Sequence, residues 1–296
     1  MRREYALVAV LLCFPLLVLG GCGSRNGPRL VNQGAGWATW SRNSRAVYYV
    51  KWVNERHVLH RYDVDTGRRR TWENVTADQF DISPDERRVA FIRNPTRGRY
   101  EVCVQNLRTG AIQVVLRYPQ LVQGVWWLSD NLLVVGQLFS EKGDCFVVDL
   151  TGKIVARVNG GATDIYPTND RPAFVYLGSD HRHYLYDVAH KERKLLRLDR
   201  ESRRGTWFWF CYVSAKSIIY YHMDAGAYPN EGVERMDVKT GKSTPVGSPD
   251  IGTSTHLSPD MTTLMYSTGL GRGEWSTPKT FVKRLPDEEV RRLRKP

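Results

Sequence analysis

Phe80-Asp81-Ile82-Ser83-Pro84-Asp85 is a short apolar strand running into a turn, and Arg88-Val89-Ala90-Phe91-Ile92 is the alternating strand that leaves it. A polar loop, Asn94 to Arg99, leads to a second alternating strand, Tyr100 to Leu107. That strand ends in Arg108-Thr109-Gly110, and a third apolar run, Ile112 to Leu116, completes the unit. Four strands and three turns in about 40 residues is the size of one propeller blade.

The plan recurs along the chain. The turn after each first strand falls at Ser41, Ser83, Ser129, Asn169, Ser214 and Ser258, in steps of 42, 46, 40, 45 and 44 residues. A second landmark marks the last hairpin: Asp63-Val64-Asp65-Thr66-Gly67, Asn106-Leu107-Arg108-Thr109-Gly110, Asp149-Leu150-Thr151-Gly152 and Asp237-Val238-Lys239-Thr240-Gly241. The fourth copy reads Asp187-Val188-Ala189-His190-Lys191. Asp or Asn opens such a turn by bonding its own backbone, and Gly takes the positive φ of a tight hairpin, so these aspartates are turn formers rather than metal ligands. The second strands, such as Ala46 to Val50, Leu132 to Val135 and Ser217 to Tyr221, are rich in β-branched and aromatic residues and read as continuous apolar runs.

The sixth copy has three strands, near Thr255, Thr263 to Ser267 and Thr280 to Leu285, whereas Arg29-Leu30-Val31-Asn32 is a spare strand ahead of the first copy. Pairing the two removes an exposed edge. The expected fold is all-β, a six-bladed β-propeller over residues 29–285 whose N-terminal strand completes the last blade. Residues 286–296 form a basic helical tail, with Pro286 and acids at its start and Arg291, Arg292, Arg294 and Lys295 at its end.

Residues 1–21 have the plan of an export signal: Arg2 and Arg3, an apolar run from Ala6 to Leu19, then small residues. The run is short for a membrane span and holds Pro15. Its ending, Leu19-Gly20-Gly21-Cys22, resembles the lipobox of bacterial lipoproteins. That resemblance implies cleavage before Cys22, a lipid on Cys22, and residues 22–28 as a tether. Gly23 stands where an Asp would resemble an inner-membrane retention signal, so the expected address is the cell envelope, on the outer membrane facing the periplasm where two membranes exist.

The 43 Lys and Arg outnumber the 31 Asp and Glu, for a net charge of +12. That excess favours anionic neighbours, and an exported protein seldom meets nucleic acid. Cys103, Cys145 and Cys211 are odd in number and widely spaced, which reads as small buried hydrophobes rather than a disulfide framework.

Ser83-Pro84-Asp85 and Ser258-Pro259-Asp260, with the Asp/Asn-x-x-Thr-Gly hairpins, resemble the WD-like repeat of TolB-like propellers. The resemblance spans residues 29–285, and two of six copies keep the full Ser-Pro-Asp. It implies a periplasmic propeller that binds protein partners through one face. Against the TolB-like pattern, the expectation here is a propeller that follows a lipobox and tether directly, without an N-terminal α/β domain.

No Gly-x-Ser-x-Gly elbow, phosphate loop or His-Glu-x-x-His is present. His181 and His183 have no third ligand nearby and read as part of a polar hairpin loop. Asp85 and Asp260 follow proline in a turn, a poor place for a catalytic acid. The better candidates precede each first turn, where inner strands converge on a central channel: Trp37, Thr39, Asp81, Trp127, Tyr166, Tyr212 and His256. Two roles compete for them, a partner surface at the channel mouth and packing between blades. Arg68-Arg69-Arg70 and Arg203-Arg204 fall in turns or loops; they read as solvated faces that could also lie against anionic lipid. The expectation is a monomeric, lipid-anchored binding or scaffolding protein without cofactor or metal, whose partner is a protein, peptide or glycan. The alternative is an envelope lyase or hydrolase working through Asp81 or His256.

Overall fold

A computed structural model describes residues 27–295 apart from 34–37, 55, 74, 76–78, 97–98, 119–121, 123, 137–144, 159–162, 199–205, 225–231, 247–254 and 269–278. The chain enters on β1 (Arg29–Gln33). Blade 1 is β2 (Ala38–Trp40), β3 (Ala46–Val53), β4 (Arg56–Asp63) and β5 (Arg69–Glu73). Blade 2 is β6 (Phe80–Ile82), β7 (Arg88–Thr96), β8 (Arg99–Asn106) and β9 (Ile112–Tyr118). Blade 3 is β10 (Gly124–Ser129), β11 (Leu132–Gly136), β12 (Cys145–Asp149) and β13 (Ile154–Val158). Blade 4 is β14 (Thr163–Pro167), β15 (Ala173–Leu177), β16 (His183–Asp187) and β17 (Glu192–Leu195). Blade 5 is β18 (Thr206–Val213), β19 (Ser217–Asp224), β20 (Gly232–Asp237) and β21 (Ser243–Pro245). Blade 6 is β22 (Thr255–Leu257), β23 (Thr263–Thr268) and β24 (Lys279–Arg284), followed by α1 (Asp287–Arg294).

Five blades are antiparallel meanders in sequence order, and the sixth has the order β1-β24-β23-β22. Arg29 lies opposite Val282 and Gln33 opposite Lys279. The ring therefore closes by strand exchange, as the three-stranded sixth repeat demands.

The Ser-Pro-Asp turn has a local cause. Ser83 Oγ donates to Asp85 Oδ1 at 2.5 Å and accepts from Arg88 N, while Asp85 Oδ1 also accepts from Arg87 N. Ser258 and Asp260 repeat the arrangement, and Ser41 achieves it with Asn43. Asp85 and Asp260 are thus turn braces. In blade 4 the equivalent residue is Thr168, not Asn169, because Thr168 N bonds Ala173 O as Ser41 N bonds Ala46 O.

The last hairpins carry Gly67, Gly110, Gly152 and Gly241 at φ +71°, +76°, +89° and +72°, and Lys191 takes the same left-handed role at +56°. The polar loop expected from Asn94 begins later, because β7 continues through Pro95 to Thr96. Its register slips between Arg93 and Thr96, which accommodates a residue without a ladder donor.

The core lies between blades rather than within them. Tyr48, Val50 and Leu59 of blade 1 pack on Phe80, Val89 and Phe91 of blade 2. Cys103, Cys145 and Cys211 are buried and form no disulfide, and burial pushes the Cys103 thiol up to about 11 and the Cys211 thiol up to about 12. Val290 and Leu293 of α1 bury against Leu257, Met261 and Leu264 of blade 6, and Arg294 Nη2 donates to Asp260 O.

Candidate functional site

The inner strands β2, β6, β10, β14, β18 and β22 are the first strands of their blades and ring the axis. Two residues before each turn they present Thr39, Asp81, Trp127, Tyr166, Tyr212 and His256. All six hold equivalent positions, one per blade. Trp37 lies outside the described residues. Five of the six are partly exposed, whereas Trp127 is 0% exposed.

The ring is stitched from blade to blade at this level. Thr39 bonds the Asp81 carboxylate. Trp127 N donates to Asp81 Oδ2 at 2.8 Å and Trp127 Nε1 to Asp81 O at 3.1 Å. Tyr166 packs on Phe210 with ring centres 4.9 Å apart. Trp209 Nε1 donates to Thr255 O and its ring meets His256 edge-on, while Trp40 Nε1 donates to His256 O. Of the two roles open to Trp127, the structure gives it packing. Its ring lies among Ala90, Val102 and Val104 of blade 2 and Val125 and Leu133 of its own blade.

Arg42, in the first turn of blade 1, was not legible as a site residue. Its side chain crosses the channel mouth to the far side of the ring. Nη2 donates to Trp127 O at 2.8 Å, and Nη1 donates to Thr168 O and reaches Asn169 Oδ1 at 3.5 Å. Burial lowers its guanidinium pKa, an effect that Asp81 and Asp170 oppose. A cation thus sits across the mouth that Tyr166, Tyr212 and His256 surround.

Asp81 and His256 are partly exposed to the channel but enclosed by the ring. Burial raises the Asp81 carboxyl to about 6, against the Trp127 N–H, Arg42, the Ile82 N–H and Thr39. Burial lowers His256 to about 4, and it raises the Tyr166 and Tyr212 phenols.

The signs give a test. Native Asp81 keeps its proton after the unfolded chain (~3.9) has lost it, so its cost to stability is absent below pH ~4 and complete above pH ~6. Native His256 stays neutral while the unfolded chain (~6.5) is protonated, so its contribution is complete above pH ~6.5 and lost as pH falls to ~4. At 1.36 kcal/mol per unit, each amounts to roughly 3 kcal/mol. The two oppose each other, and the melting temperature of the natural protein is expected to change little between pH 7 and 5. Asp81→Asn should make it fall steeply on acidification, and His256→Gln should make it rise. Parallel melts of all three proteins would refute these assignments.

The two histidines of the blade 4 loop separate. His183 opens β16, is buried, and meets Phe208 and Phe210 edge-on, while His181 is exposed in the turn at φ +59°. Among the described residues no three of His, Cys, Asp or Glu are grouped so as to hold a metal ion.

No family model and no curated protein matches this sequence. Among solved structures, TolB of Acinetobacter baumannii aligns over 83% of this chain at 20% identity and a TM-score of 0.54. The chain is similar to TolB. It spans 62% of that protein's length. An oligogalacturonate lyase in complex with manganese aligns over 87% of this chain and 78% of its own, at 14% identity and a TM-score of 0.55. The β-propeller domain of a protease from Pyrococcus furiosus, described as having an open velcro topology, covers 90% of this chain and all of its own at 13% identity and a TM-score of 0.50. The present ring differs in that β1 closes it. These likenesses are likenesses of fold, and one fold hosts unrelated activities.

Proposed function

We propose that this chain is a lipid-anchored propeller of the cell envelope that binds a protein, peptide or glycan partner at the channel mouth around Arg42. The observation that carries the reading is the Arg42 guanidinium held across that mouth, with Tyr166, Tyr212 and His256 about it from three other blades. A cation in a partly dehydrated setting suits carboxylate or other oxygen acceptors. A rigid ring loses little entropy when a partner docks. The lyase or hydrolase reading keeps Asp81 and His256 as its acid and base, but Asp81 already accepts from Trp127, Ile82 and Thr39.

The anchor is tested first. Cys22→Ser should leave an uncleaved precursor that takes up no clickable fatty acid; unchanged labelling would remove the lipid from the account. The mouth is tested by Tyr166→Ala with Tyr212→Ala. This pair should weaken capture of envelope partners by ~2–4 kcal/mol, as aromatic hot spots do. Turnover of an envelope glycan or peptide, abolished by Asp81→Asn or His256→Gln, would establish the enzyme instead.

A further inference from the structure

The side of blade 1 that faces β1 carries a strip of cations without carboxylate partners among the described residues. Tyr49 and Lys51 on β3, His60 and Tyr62 on β4, and Arg69 on β5 lie along it. The Tyr49 and His60 rings stack at 5.0 Å; Lys51 Nζ sits 5.9 Å from the Tyr49 ring centre and the Arg69 guanidinium 5.8 Å from that of Tyr62. Arg69 Nη2 donates to Val31 O of β1, so the strip flanks the seam where the ring closes. His60 Nε2 is buried and has no hydrogen-bond partner. His60 is held below its ordinary value by burial, then by Lys51 and Arg69, and Lys51 by burial, then by Arg69. Glu73, opposite Val58 on the same sheet, is the acid that the strand pairing of the described residues places on this face.

Two cations that repel one another in a half-buried setting, beside a ring nitrogen without a partner, are complementary to a tetrahedral oxyanion. The same edge carries apolar surface. Of the four exposed large hydrophobics among the described residues, Leu30 (44% exposed) lies on β1, and Trp52 (63%) and Val53 (41%) lie at the β3–β4 tip. Arg56, opposite Val53 at the same tip, adds charge. Basic residues beside an exposed tryptophan suit the head-group layer of an anionic bilayer. From Cys22 to Arg29 is seven residues, a reach of about 25 Å at most when extended.

We infer that the seam between β1 and blade 1 binds the phosphate of an anionic lipid head group through Lys51, His60 and Arg69. The propeller then rests edge-on against the membrane that anchors it. This rests on the reading that Cys22 carries lipid.

The test uses the full chain with ring-labelled histidine, in nanodiscs of phosphatidylcholine alone or with phosphatidylglycerol, and separately in neutral detergent with inorganic phosphate. The His60 resonance, assigned with His60→Gln, should shift in the phosphatidylglycerol discs and not in phosphatidylcholine. It should also shift with added phosphate. Lys51→Gln, which leaves the Arg69 bond to β1 in place, should weaken phosphate binding at least fivefold. A His60 signal indifferent to phosphate and to both discs would overturn the site. A response to phosphate alone, equal in both discs, would overturn the lipid assignment in favour of a free anion. Failure of the chain to stay on either disc would refute the anchor, and the phosphate titration would still decide the site.

Discussion

Removing residues 1–33 is expected to abolish the cooperative melt, whereas removing residues 1–28 leaves it in place. The first truncation deletes β1, the outermost strand of blade 6, and uncovers the backbone edge of β24 from Lys279 to Val282. It also takes away Val31, which is buried against Val47, Tyr49, Met265 and Val282 across the blade 6–blade 1 joint. The loss combines a strand's hydrogen bonds, one side of an inter-blade core and the protection of an edge from pairing with other chains. Aggregation and a broad, low-temperature transition are the expected outcome by circular dichroism and light scattering. Equal melts for the two truncations would mean that the ring does not depend on its closing strand.

Trp127→Ala is expected to cost ~3–5 kcal/mol, the range for truncating a fully buried tryptophan. The substitution opens a cavity between blades 2 and 3 and leaves Asp81 O without the indole N–H. It also strips the ring that Arg88 covers at 5.1 Å. Tyr212→Ala, at the equivalent position in blade 5, removes a side chain that is only partly buried and should cost far less. Denaturant melts of the two variants measure the difference directly. Equal costs would mean that the equivalent positions do not divide into packing and surface roles.

The fold was legible because its signals are local and repeated. Period-2 strands, Ser-x-Asp or Ser-x-Asn braces and Gly at a positive φ each follow from near neighbours in sequence, and the missing fourth strand of repeat six points to β1. The site was less legible, because the positions of Thr39, Asp81, Trp127, Tyr166, Tyr212 and His256 follow from the repeat but their exposure does not. Whether Trp127 faces a partner or a neighbouring blade is decided by small residues such as Ala90 across the joint, about 40 residues away in sequence. Arg42 looks like any surface-turn arginine until the ring places blades 3 and 4 within its reach. The repeat pattern puts the blade 4 turn at Asn169 rather than Thr168 because that turn lacks the Ser-x-Asp brace: the Thr168 hydroxyl donates to Arg171 O instead.

Recognition at the Arg42 mouth is tested most directly by placing a photo-crosslinking amino acid at position 212 in cells that make the full chain. The control position is 112, where exposed Ile112 lies on the outer strand β9. The account predicts a discrete adduct at 212 that disappears on Arg42→Met, with none at 112, while the Arg42→Met protein retains a cooperative melt. No adduct at 212, or equal adducts at both positions, would contradict it.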